Sequence, residues 1–256
     1  MREMQRTGQL HSLIANMSFD SQEAGVFGDP QFPTLAIRQA GAHHPVFQAM
    51  FKRYSRLELT RATDRPIAVA GIQRRLANAI QSGIAFGVFD KFEHLHRSLL
   101  WRRAGNRFLK LRKNEPSRPP TWSWTAFDGA IDYLKVETTK VRWNERIKFE
   151  IPLNSGQLVS LEAPVMAFNE DEMQRDQSLL ILDSQPYASF RGLRCVIISR
   201  QGPMPEGQED QEVYHILVVS LYQARESYSE YQRLGVASVR RLHIAVDCKP
   251  VLARLI

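Results

Sequence analysis

The chain has 256 residues, 43% of them hydrophobic and 24% charged, enough for one large domain or two small ones with a buried core. No stretch approaches the roughly twenty apolar residues of a membrane helix, and Met1–Leu10 is too polar for a secretory leader. The formal net charge of +7 sits almost wholly between Arg97 and Arg118, leaving 26 basic against 26 acidic residues elsewhere, which excludes a nucleic-acid binder that is basic over its whole surface.

In chain order, residues 1–33 are weakly periodic and carry Gly25, Gly28, Pro30 and Pro33, so they read as a poorly ordered lead-in with a short helix near Leu10–Met17. Residues 34–117 read as helical. The pattern starts near Thr34 and breaks at Gly41 and Pro45, after which Val46, Phe47, Met50, Phe51 and Tyr54 recur at helical spacing. A second helix is predicted over Pro66–Ile80, with Asp64 as N-cap and Ala68, Ile72, Leu76 and Ile80 as its buried stripe. Gly83 and Gly87 interrupt it, and a third helix is predicted over Asp90–Arg102, turning Phe92, Leu95, Leu99 and Leu100 inward.

From Arg118-Pro119-Pro120 onward the texture changes to strands and turns. Strands are predicted at Ile131–Val136, Arg146–Ile151, Gln157–Val165, Leu179–Asp183, Gly192–Ser199, Val213–Tyr222, Leu234–Arg240 and Leu242–Val246, with a polar loop from Gln201 to Glu212. The expected class is α+β: a helical N-terminal part packed on a mostly antiparallel, β-rich part over 118–256, forming one continuous unit with 34–117.

Several local patterns succeed one another in order: Tyr54-Ser55-Arg56, Leu59-Thr60, Asp64-Arg65-Pro66, Gly71-Ile72, Gly87, Leu99-Leu100-Trp101, then Arg118-Pro119-Pro120-Thr121-Trp122-Ser123-Trp124 closing on Asp128-Gly129. This succession resembles the segment that follows the conserved core of fungal heterokaryon-incompatibility (HET) proteins. Tyr231-x-Arg233-Leu234-Gly235-Val236 is similar to a Tyr-x-Arg-Val-Gly strand near that family's C-terminus. The resemblance covers the downstream half alone, since the family's upstream Leu-Ser-Tyr-x-Trp-Gly-like and Trp-Ile-Asp-like blocks do not occur. It implies a part in non-self recognition and regulated cell death, exercised through a protein partner and without an activity of the missing core.

The residues themselves point to binding rather than catalysis. In an extended segment Trp122 and Trp124 share one side, with Ser123 opposite and Asp128-Gly129 forming the turn, so the indoles serve packing or an aromatic platform; packing is the expectation. His94 and His96, two apart on a helix, cannot share a metal, and no third ligand completes a set. No phosphate loop, dinucleotide fingerprint or nucleophile elbow occurs. Cys195 lies in an apolar run and reads as packed; with Cys248 it fits a reducing, cytoplasmic compartment. Neither a catalytic residue, a cofactor nor a metal is expected, and Glu170-Asp171-Glu172 reads as a solvated loop.

The basic window is Arg97, Arg102, Arg103, Arg107, Lys110, Arg112, Lys113 and Arg118, with Glu115 as its one acid and Trp101 and Phe108 interleaved. It is expected either as a solvated loop after the third helix or as a strip for weak anionic contacts. The second alternative makes the chain a nucleic-acid or nucleotide-binding module.

Overall fold

The computed structural model describes residues 44–57, 65–110, 119–137, 141–151, 159–183, 192–201, 211–245 and 248–256. The expected lead-in, the Asp64 cap and nearly all of the 201–212 loop lie outside them.

Helix α1 (His44–Ser55) buries the expected face, Val46, Phe47, Met50, Phe51 and Tyr54. Pro45 falls in its first turn, where the missing N–H has no intrahelical partner to lose. Helix α2 (Arg65–Ile80) buries Val69, Leu76 and Ile80. Beyond it, β1 (Ile84–Ala85) and β2 (Val88–Phe89) form a hairpin whose two central residues, Phe86 and Gly87, have φ of 52° and 80°. That is the geometry of a two-residue primed turn. A Cβ on Gly87 would lie 2.3 Å from Trp124 Nε1. Gly87→Ala therefore meets both a disfavoured φ and a rigid indole, and should lower the denaturation midpoint by the equivalent of about 1–3 kcal/mol. A parental urea midpoint would contradict this.

Helix α3 (Phe92–Leu99) is shorter than predicted. The chain leaves it into β3 (Trp101–Lys110), so the central part of the basic window is a strand and not a loop. Its ladder partner is β4 (Phe127–Tyr133), with Trp101 opposite Tyr133, Arg102 opposite Asp132 and Lys110 opposite Phe127. Pairing across this distance supplies the backbone hydrogen bonds that local pattern cannot announce. Asp128 and Gly129 lie inside β4, opposite Leu109 and Phe108, and do not make the expected turn. The division at 117/118 thus crosses a single ladder.

The remaining strands are β5 (Val141–Trp143), β6 (Lys148–Glu150), β7 (Ser160–Ala167), β8 (Leu180–Leu182), β9 (Leu193–Gln201), β10 (Val213–Ala224), β11 (Ser229–Arg240) and β12 (Val251–Leu255). Helix α4 (Glu170–Arg175) replaces the expected acidic loop, with three acids in its first turn where the helix dipole favours them. The strand predicted at Leu242–Val246 is instead a 3₁₀ turn, Arg241–His243, followed by a single bridge from Ile244 to Phe168.

Strands β9, β10, β11, β12 and β7 pair in that order, and β7 returns to β9 through Met166–Cys195 and Ala167–Arg194. The five close into a ring, antiparallel except at β11–β12. Leu161, Val165, Val196, Ile198, Leu217 and Leu255 from its strands share one cluster with Trp122 and with Leu95, Leu99 and Leu100 of the α3 region. The alternate face of β9–β11 packs Cys195, Ile216, Val218 and Val239 against Phe168, Met173 and Ile244. A further cluster sets α1 and α2 on the β3–β4 ladder and includes Trp101 and Trp124. The class is α+β with mostly antiparallel sheets, and no described helix is long and apolar enough to cross a membrane.

Strand pairing also places one titratable group inside the ladder. His215 stands opposite Ser238, and its Nδ1 is 2.9 Å from Ser238 Oγ. Burial holds its imidazole below the ordinary value of 6.5. The unfolded chain therefore takes up this proton at higher pH than the folded one, and stability falls as pH drops below about 6.5. His215→Asn should flatten that part of the profile, read as denaturation midpoints between about pH 7.5 and 5.5. An unchanged slope would contradict the assignment.

Candidate functional site

Two places gather chemically capable side chains. The first is buried and lies where the two larger clusters meet. Trp122-Ser123-Trp124 is not an extended run: Trp124–Ala126 is a 3₁₀ turn, which sends Trp122 into the ring and Trp124 into the helical cluster. The expectation of two indoles on one side is corrected accordingly. Ser123, expected to face away, is fully buried; its hydroxyl donates to Phe86 O at 2.6 Å and accepts from Thr125 N at 3.0 Å. The reversal arises because a capping serine must turn its oxygen back onto the turn it starts.

The indoles form a relay of donors. Trp101 Nε1 donates to Trp122 O at 2.8 Å, and Trp122 Nε1 donates to Leu255 O at 3.1 Å. Arg233 lies against Trp101 with its guanidinium carbon 3.4 Å from the ring centroid. It donates to Leu99 O at 2.8 Å, to Trp101 O at 2.5 Å and to Asp183 Oδ2 at 2.9 Å, while its own N–H reaches Thr121 Oγ1 at 2.9 Å. Thr121 Oγ1 also donates to Ile256 O. The Arg233 and Asp183 side chains are 0% and 2% exposed. Burial pushes the Asp183 carboxyl up against the pull of Arg233, and lowers the guanidinium's own value. Gly235, two residues on, leaves room for Ile181 O, which a Cβ would approach to 2.3 Å. Arg233 was legible as part of a motif, but its partner Asp183 carried no signal.

The basic window does not assemble into one strip among the described residues. Arg97 is buried, donating to Glu93 at 2.8 Å and lying 4.9 Å from the Trp143 ring centroid. Arg102 and Arg103 are adjacent in a strand and point to opposite faces. Arg102 reaches Asp132 at 3.5 Å, where Lys52 also binds at 2.7 Å. Burial alone would raise the Asp132 carboxyl, but the Lys52 and Tyr133 hydrogen bonds and the charges of Lys52 and Arg102 bring it below its ordinary range. Lys110 contacts Gln232 at 3.4 Å beside a cleft of about 310 Å³ bordered by Pro119 and Pro120. Arg107 lies in β3; Arg112, Lys113 and Arg118 lie outside the described residues.

The second place was missed by sequence reading. A solvent-open groove of about 840 Å³ is lined by Arg142, Arg146, Arg200 and Arg241, together with Trp143 and Tyr214. These arginines are spread over a hundred residues of sequence and form no cluster there. Only pairing of β5, β9 and β10 brings four of the six together, Trp143 included, with Arg142 and Tyr214 each directly opposite Arg200.

Cys195, His96 and His243 are held in packing. The Cys195 thiol is buried and pushed up to about 12 by that burial. His96 Nε2 donates to Asn144 O at 2.8 Å, and His243 Nε2 meets Asp176 Oδ2 at 2.9 Å. Compared with known protein families, curated proteins and solved structures, the chain shows no match.

Proposed function

We propose that the chain is a non-enzymatic interaction module related to the downstream half of fungal heterokaryon-incompatibility proteins, serving non-self recognition and regulated cell death through a protein partner in the cytoplasm. The observation that carries this reading is the meeting of motifs distant in sequence. Gly87, Leu99-Leu100-Trp101, Thr121-Trp122-Ser123-Trp124 and Arg233-Leu234-Gly235 touch one another around a single buried node. The same burial argues that these residues make the fold, leaving partner contact to the outer surface. It also supports a helical part packed on the β-rich part as the family's arrangement.

A domain swap tests the proposal. Induced alone in a fungal host, the chain should leave viability intact; grafted behind a HET core stripped of its own downstream half, it should restore death on triggering. Death caused by the chain alone, or a graft that stays silent, would count against it. The purified chain should turn over neither NAD nor a nucleoside triphosphate, and turnover abolished by one pocket substitution would contradict the non-enzymatic part.

A further inference from the structure

We infer that the arginine groove is a binding site for a small organic phosphate of nucleotide size. This stands on geometry alone and does not depend on kinship with any family. The groove's volume of about 840 Å³ falls in the range of ligand pockets. Four arginines from three segments line it, Arg142 and Arg146 from one, against one lining carboxylate, Glu145. Glu212 stands beside it, 3.9 Å from Arg200, and accepts the Tyr214 hydroxyl at 2.5 Å. Among the described residues, no carboxylate lies within ion-pair distance of Arg142, Arg146 or Arg241. Arg142 and Arg200 are directly opposed across the β5–β9 ladder. Like charges in that position destabilise a sheet, and Glu212 offsets the pair on the Arg200 side alone.

The walls are held before any ligand arrives. Trp143 packs on His96 with ring centroids 5.4 Å apart and on the buried Arg97. Asn144 Nδ2 donates to Ile197 O at 2.6 Å while its Oδ1 accepts from Arg146 N at 3.1 Å, which fixes the turn carrying Arg146. Arginine forks match phosphate oxygens in pairs. Trp143, Pro164, Met166, Ile197 and Pro250 add an apolar surface that free phosphate would not use but a nucleoside body would. The ligand class is therefore an aromatic or apolar body bearing one or more phosphates.

Calorimetric titration of the whole chain with ATP, pyrophosphate and adenosine tests this, beside Arg142→Ala, Arg200→Ala and the control Arg103→Ala. ATP should bind, pyrophosphate more weakly, and adenosine not measurably. Arg142→Ala and Arg200→Ala should each weaken ATP binding about tenfold or more, as loss of a charge-assisted pair implies. Arg142→Ala should meanwhile keep or raise the denaturation midpoint, because it relieves the like-charge pair, so loss of binding cannot be confused with unfolding. Arg103→Ala should bind ATP as the parent does. Absence of ATP binding, or binding indifferent to both groove substitutions, would overturn the inference. So would a single-stranded oligothymidylate that binds through the same arginines far more tightly than ATP.

Discussion

Arg233→Ala should cost about 3–5 kcal/mol, the usual penalty for stranding one member of a buried ion pair. Against a total of roughly 5–15 kcal/mol for such a domain, that leaves the chain near its unfolding limit at ambient temperature. The loss has three sources. Asp183 would remain buried without its counter-ion, and the carbonyls of Leu99 and Trp101 would lose their donor. The Trp101 ring would lose the cation stacked 3.4 Å from its centroid. Arg233→Lys should recover only part of this, since one ammonium cannot reach a carboxylate and two carbonyls in a fork geometry. Urea denaturation of the three proteins measures the ranking; an Arg233→Ala protein with the parental midpoint would contradict it.

The second large effect belongs to the tryptophans. Trp122→Ala and Trp124→Ala should each cost about 3–5 kcal/mol, because each leaves a large cavity in a different cluster. Trp122→Ala also frees Leu255 O, whereas Trp124→Ala removes the ring that lies on Gly87. Ser123→Ala should cost about 1–3 kcal/mol, more than an outward-facing serine would, because Phe86 O and Thr125 N lose their buried partner. The variants should lose stability before they lose any ligand. Parental midpoints combined with loss of a binding partner would mark the indoles as a contact surface instead.

The elements that the sequence announced are those whose signal is local. The apolar face of α1 is legible from periodicity, and β9 and β10 from their long apolar runs. What could not be read depends on partners far along the chain. β3 reads in sequence as the end of the third helix and a solvated basic loop, because the ladder that makes it a strand is supplied only by β4. β12 is five residues long and was not marked, although it closes the ring by pairing with β7 and β11. The Trp-Ser-Trp block is visible in the sequence, yet its geometry is the reverse of the expected one. A proline pair ahead of it suggested extension, whereas the serine caps a 3₁₀ turn and hands one indole to each cluster. The arginine groove had no signature at all, because its cations are dispersed in sequence and meet only through register.

The central claim is that the residues carrying the family resemblance hold the helical part and the five-stranded ring together as one cooperative unit. Three of the four tryptophans, Trp101, Trp122 and Trp124, sit at that junction, so intrinsic fluorescence reports on it. Far-ultraviolet circular dichroism near 222 nm reports on the helices, α1 and α2 among them. Equilibrium urea unfolding followed by both signals should give one coincident transition in the parent, displaced together to lower urea in Trp122→Ala and in Trp124→Ala. Two separated transitions in the parent, or a substitution that moves one signal and leaves the other in place, would show that the node does not join the two parts.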